Sequence, residues 1–255
     1  MAVLTVVADE ATLAVSAAER LTTVVNEAIV RRGSAIVCLT GGRTPKRLYE
    51  LLGDPLQPWR ARIDWARVHL FWGDERPVPP DHPDSNFGMA YRALVSQVPV
   101  PASQVHRMRG EFADAGDAGR EYEAELRTGF AAAGRSDLTF DVMLLGLGEN
   151  VHIASLFPES PLLAHEPPAE VLAAGVWVPE IDSWRITLTP AALLDARAIL
   201  MLVSGAPKAS AVHAALELDE DVLHLPAQLL RRANDRVEWI IDRPAAARLR
   251  DAPPA

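Results

Sequence analysis

Short apolar runs alternate along the chain with stretches whose apolar positions recur every three or four residues. Residues 2–8 are β-branched and apolar, which predicts a strand. Asp9 follows as a candidate N-cap, and Leu13, Ala17, Leu21, Val24 and Ala28 then mark one face of a helix. Gly33 stands where a left-handed residue would end that helix. Residues 35–39 (AIVCL), 68–72 (VHLFW), 140–145 (FDVMLL), 184–189 (WRITLT), 198–203 (AILMLV) and 236–241 (RVEWII) read as further strands. Between them, Thr44-Pro45 opens a helix with proline in its first turn, and Asp84 or Ser85 caps another running through Met89, Tyr91 and Leu94. Residues 98–101 break that helix. A charged, alanine-rich helix is expected over 117–133, a short one from Pro190, and another over about 207–216.

Strands that are apolar on both faces and separated by helices imply a mostly parallel sheet covered on both sides. The expected fold class is therefore α/β, a Rossmann-like single domain spanning 1–255. The proline-bearing stretches 77–83, 99–101 and 158–168 are too short for flexible linkers and read as ordered loops.

Composition narrows the function classes. The 255 residues carry 25 Lys+Arg against 34 Asp+Glu, a formal charge of −9. This balance argues against a broad nucleic-acid footprint, while leaving room for a local basic pocket. The one cysteine, Cys38, forms no internal disulfide and points to a reducing compartment. The first ten residues lack a basic signal-peptide start, and no apolar run nears the ~18–20 residues that span a membrane. The protein is expected to be cytoplasmic and, lacking an apolar heptad face, monomeric.

Four glycine-bearing loops each follow an apolar strand, at 40–45 (TGGRTP), 73–76 (GDER), 146–158 (GLGENVHIASLFP) and 204–208 (SGAPK). In an open parallel sheet, ligands bind outside the carboxyl ends of the strands, so these loops are expected along one edge. Gly41, Gly42, Arg43 and Thr44 lead into a helix N-terminus, a natural anion site, and Arg43, Arg76 and Lys208 add charge. No GxxxxGK[ST] occurs, and Val151 stands where a dinucleotide fingerprint needs its third glycine. Of the 7 histidines, His152 alone lies in one of these loops. There is no GxSxG elbow, Cys38 lies within a strand, and no HExxH or CxxC suggests a metal. Histidine-assisted water attack on a phosphate-held substrate remains.

At this point the successive segments TGGRTPKRLYELL, residues 71–95, FDVMLLGLGENVHIASLFP, RITLTPAALLDA and LVSGAPKASAV resemble motifs of the 6-phosphogluconolactonase family, in order, over about 35–215. The resemblance implies a fold shared with glucosamine-6-phosphate deaminase and ribose-5-phosphate isomerase. It also implies hydrolysis of 6-phospho-D-glucono-1,5-lactone, a phosphosugar lactone, in the oxidative pentose phosphate pathway, with no cofactor or metal. By motif, His152 would be the general base. Gly41, Gly42, Arg43, Thr44 and Lys208 would hold the phosphate, and Arg76 would meet phosphate or oxyanion, positioned by Asp74 and Glu75. Arg185 is a further substrate-binding candidate, with a loop or helix-end ion pair as its alternative.

The deaminase reads FNEP where this chain has Ser155-Leu156-Phe157-Pro158, and that glutamate is missing here. A non-catalytic sugar-phosphate sensor is the remaining rival. One departure concerns the turn itself, because the family usually reads Asp/Glu-Gly where Asn150-Val151 precede His152. Asn150 replaces a carboxylate by an amide that can still hydrogen-bond. Val151 disfavours positive φ, so the turn is expected to change.

Overall fold

The computed structural model describes residues 2–250. Residues 1 and 251–255, which the expected domain of 1–255 includes, lie outside the described residues. Along the chain come β1 (Val3–Val7), α1 (Glu10–Arg32), β2 (Ala35–Leu39), α2 (Arg43–Gly53), α3 (Pro58–Arg62) and β3 (Val68–Trp72). There follow β4 (Asp74–Glu75), α4 (Asn86–Ala93), β5 (Val105–His106), α5 (Ala115–Ala132), β6 (Val142–Leu145) and α6 (Pro161–Ala164). The chain continues through β7 (Ala173–Val178), β8 (Ser183–Leu188), α7 (Pro190–Leu194), β9 (Ile199–Val203), α8 (Ala209–Glu217), β10 (Val237–Asp242) and α9 (Arg243–Ala246).

Among the described residues the main sheet has 7 strands in the order β1-β10-β9-β6-β2-β3-β5. Its pairings are all parallel. Successive residues divide between its two faces. Ile36, Cys38, Met143, Leu145, Ile199 and Met201 pack with α5 and α8 residues such as Tyr122, Phe130 and Val212. Ala35, Val37, Leu39, Val142, Leu144, Leu200 and Leu202 pack against α1, α2 and α4 through Leu13, Ala17, Leu48 and Ala90. This is why β2, β6 and β9 read as unbroken apolar runs. Asp9 caps α1 by accepting the Thr12 N–H at 2.8 Å, and Gly33 ends it at φ 83°.

The chain enters the centre of the sheet at β2, proceeds outward through β3 and β5, and then returns to lay β6 on the other side of β2. The order reverses between β2 and β6, so a crevice opens beyond their carboxyl ends.

A second sheet departs from the expectation. It is antiparallel, with 3 strands ordered β4-β8-β7, and it takes the predicted strand 184–189 out of the main sheet. Gly73 joins the two sheets, its N–H donating to Leu39 O at 2.9 Å and its carbonyl accepting from Leu188 N–H at 2.9 Å. The β7–β8 hairpin is thereby held beside the crevice.

Candidate active site

The four glycine-bearing loops line one cavity of about 760 Å³ over the β2/β6 reversal. Residues 40–45, Asp74, Arg76, 146–150, His152, Lys208 and, from the hairpin, Glu180 and Arg185 all face it. Helix α2 starts with Gly42 at φ 106°, and no side chain caps it. Pro45 has no N–H, and Lys46 N–H already reaches Gly42 O at 3.2 Å, so the Arg43 and Thr44 amides are left for a ligand. Thr44 Oγ1 meets Ser204 Oγ at 2.7 Å, tying the β2 and β9 loops together.

His152 sits at the end of a closed turn. Gly148 N–H donates to His152 O at 2.8 Å, and Val151 N–H to Gly148 O at 3.1 Å. A Cβ on Gly148 would lie 2.1 Å from His152 Nδ1, so the position requires glycine for space. Val151 takes φ 69° and is 5% exposed. The valine thus occupies the positive-φ region it was expected to avoid. Its buried side chain, in the core with Ile153 and Leu156, and its carbonyl, accepting from Ala227 N–H at 3.0 Å, hold it there. The imidazole stacks on Phe157 with centroids 4.0 Å apart, and its Nδ1 lies 2.6 Å from Asn150 Oδ1.

The acidic residues act mainly on backbone and neighbouring polar groups, and of the two only Glu75 meets Arg76, through its backbone N–H. Asp74 is buried and accepts from Ser155 Oγ at 2.7 Å and Asn86 Nδ2 at 3.1 Å. Glu75, also buried, accepts the backbone N–H groups of Arg76, Asn86 and Phe87 at 2.8, 2.7 and 2.8 Å. Neither carboxylate pairs with the Arg76 guanidinium, which instead donates Nη1 to Asp84 O at 2.6 Å. Arg185 is not at a helix end. It projects from β8 and donates to Ser183 Oγ at 2.9 Å and Trp184 O at 2.7 Å.

Burial holds His152 down at about 4, and the cations Lys208, Arg185 and Arg76 reinforce that effect. Burial likewise lowers Lys208, where Glu149 pulls upward and Arg43 downward. Arg185 is lowered by burial and then by Arg76. Among the described residues, Arg76, Arg185 and Lys208 form no ion pair, and Arg43 has only Glu10 at 3.7 Å. The cavity is a cluster of crowded cations around a neutral imidazole, an arrangement that an anion would relieve.

Sequence reasoning missed Asn86, Phe157 and Glu180. Asn86 is 1% exposed, with Nδ2 fixed by Asp74 and Oδ1 unpartnered against Gly41, where a Cβ would lie 1.8 Å away. Its place in the 71–95 motif was a usable signal. Glu180 offered none, since it lies 30 residues from its partner Asn150.

A parallel α/β sheet with a cation-lined cavity at its reversal point defines the class as an α/β protein with an anion-attracting site. The chain belongs to the family described as glucosamine-6-phosphate isomerases/6-phosphogluconolactonase, whose model matches residues 8–239. The 6-phosphogluconolactonase of Mycobacterium tuberculosis is 38% identical over 244 residues, covering 94% of this chain and 96% of that one. That of Synechocystis is 37% identical over 231 residues, covering 90% and 91%. The solved structure of 6-phosphogluconolactonase from Trypanosoma brucei superimposes with a TM-score of 0.80 at 27% identity, over 98% of this chain and 99% of that one. No described helix is long and apolar enough to cross a membrane.

Proposed function

We propose that this protein hydrolyses 6-phospho-D-glucono-1,5-lactone to 6-phospho-D-gluconate, the second step of the oxidative pentose phosphate pathway. The names of its relatives support the substrate. The observation that carries the mechanism is the environment of His152. With Nδ1 directed at the oxygen of Asn150, the Nε2 lone pair is left for a water molecule. The amides at the start of α2, with Arg43 and Lys208, hold the 6-phosphate, and its charge offsets the cations that depress His152.

His152 takes a proton from water as the oxygen bonds to C1. Arg76 and Arg185, which face the same cavity, stabilise the negative charge that gathers on the carbonyl oxygen. The C1–O5 bond then breaks, and the ring oxygen takes the proton back from His152, leaving a carboxylic acid that ionises. No covalent intermediate is needed. The single cysteine supports a reducing compartment such as the cytoplasm as its place of work.

The test is purified protein mixed with freshly generated lactone, followed by acid release. Acceleration over the spontaneous rate is expected, and His152→Ala should lower kcat by about 10²–10⁴-fold while product still binds. Product binding without acceleration by the parent protein would overturn the reading in favour of a sensor.

A further inference from the structure

We propose that Glu180 is a positioning residue for the base, acting through Asn150 to fix which nitrogen of His152 carries the proton. The proposal rests on the reading of His152 given above. The turn between β7 and β8 contains the segment Pro179–Ile181, which places Glu180 beside the 146–158 loop. Asn150 Nδ2 donates to Glu180 Oε2 at 2.6 Å, and Asn150 Oδ1 lies 2.6 Å from His152 Nδ1 and 3.3 Å from His152 N.

The two ends of an amide are chemically different, and the chain of contacts uses that difference. An ionised carboxylate only accepts, so the nitrogen of Asn150 must face Glu180 and its oxygen must face the imidazole. That oxygen in turn only accepts, so a neutral His152 carries its proton on Nδ1 and presents a bare Nε2 to the cavity. Without a carboxylate at 180, the amide can turn over and donate to Nδ1, moving the proton to Nε2 and blocking the base. The backbone N–H of His152 also favours the working orientation, but at 3.3 Å it is the longer contact.

Glu180 has a second effect. As His152 becomes an imidazolium, the polarised amide passes part of its charge toward a carboxylate, against the opposing field of Lys208, Arg185 and Arg76. The other charged groups facing the cavity are Arg43, Asp74 and exposed Glu149. Where a direct carboxylate is lacking at 150, the hairpin supplies one at a distance of one amide.

The experiment compares Glu180→Gln, Asn150→Asp and the double variant, with His152→Ala as control, using kcat, KM, product affinity and ¹⁵N chemical shifts of the His152 ring. Glu180→Gln is nearly isosteric but no longer distinguishes the two ends of the amide. It should lower kcat by on the order of 10- to 100-fold with KM and product affinity within about twofold, and shift ring protonation toward Nε2. In the Asn150→Asp background the same change should cost less than about twofold, because an aspartate there needs no orienting partner. If His152→Ala abolishes turnover while Glu180→Gln keeps both kcat and the Nδ1–H form, the role of Glu180 is overturned and that of His152 stands. If His152→Ala retains kcat, the base assignment itself fails.

Discussion

Both ends of the central strands collect positive charge, and they treat it in opposite ways. At the amino end Asp141, fully buried, receives Ile36 N–H at 2.8 Å and is surrounded by Arg135 at 3.0 Å, Arg32 at 2.8 Å and Arg197 at 3.5 Å. At the carboxyl end Arg76, Arg185 and Lys208 surround an open cavity without a carboxylate partner among the described residues. The first cluster has its counterion built into the chain and serves the fold. The second leaves that place open, so its compensation must come from a ligand. Partnership, more than the number of cations, separates a structural charge cluster from a binding one.

Four substitutions or titrations probe that contrast. Asp141→Ala should have the largest effect, destabilising the protein by about 3–5 kcal/mol because the buried Arg135 side chain keeps only the exposed Asp137 at 3.3 Å. Unchanged urea or thermal midpoints would show that the amino-end cluster is not structural. Lys208→Ala should leave the melting temperature at or slightly above that of the parent. It should weaken substrate binding by about 1.5–3 kcal/mol, on the order of 10- to 100-fold in KM. If the loss were the same for an unphosphorylated lactone, Lys208 would not be a phosphate ligand.

His152 provides a subtler probe. In the free protein it should titrate at about 4, and inorganic phosphate should move it upward by offsetting Lys208, Arg185 and Arg76. The base acts when neutral, so turnover is retained above the midpoint and lost as pH falls through it. Ring NMR recorded with and without phosphate would show the shift, and an unmoved midpoint would place the anion away from these cations. His69, held at about 4 by burial and then by His106, is stacked within the core and should not respond.

Val151→Gly should have the smallest effect. It gives up about 1.5–3 kcal/mol of buried side chain and about 0.5–1 kcal/mol of chain entropy, but relieves roughly 1–3 kcal/mol of positive-φ strain. The centres of these ranges leave a net loss of about 1 kcal/mol, to be read in urea denaturation. A loss near that of an ordinary core valine would mean that the turn stores little strain.

Six strands of the main sheet were legible, most clearly β2, β3, β6 and β9, which are buried on both faces and leave an unbroken apolar signature, whereas the two-residue β5 was missed. Of the second sheet, only β8 was legible. Strand β7 begins Ala173-Ala174-Gly175 because α5 lies directly on it, and a Cβ on Gly175 would come within 2.3 Å of Ala115. Close packing selected small residues there and erased the pattern. Strand β4 is Asp74-Glu75, two carboxylates buried by tertiary hydrogen bonds that no local rule reveals. The cavity residues were traceable because they follow strand ends in short glycine-bearing loops. Glu180 was not, since its meaning arises only when the hairpin folds back over Asn150.

The cationic cavity also bears on how a substrate arrives. The body carries a formal charge of −9, so a phosphorylated sugar is repelled over most of the surface and drawn in at one place. Encounter is then directional, with the phosphate leading. Net charge alone would make added salt speed the association of two like-charged partners, whereas a local positive mouth makes salt slow it. The sign of the ionic-strength effect on substrate capture therefore reports which part of the molecule the substrate senses as it approaches.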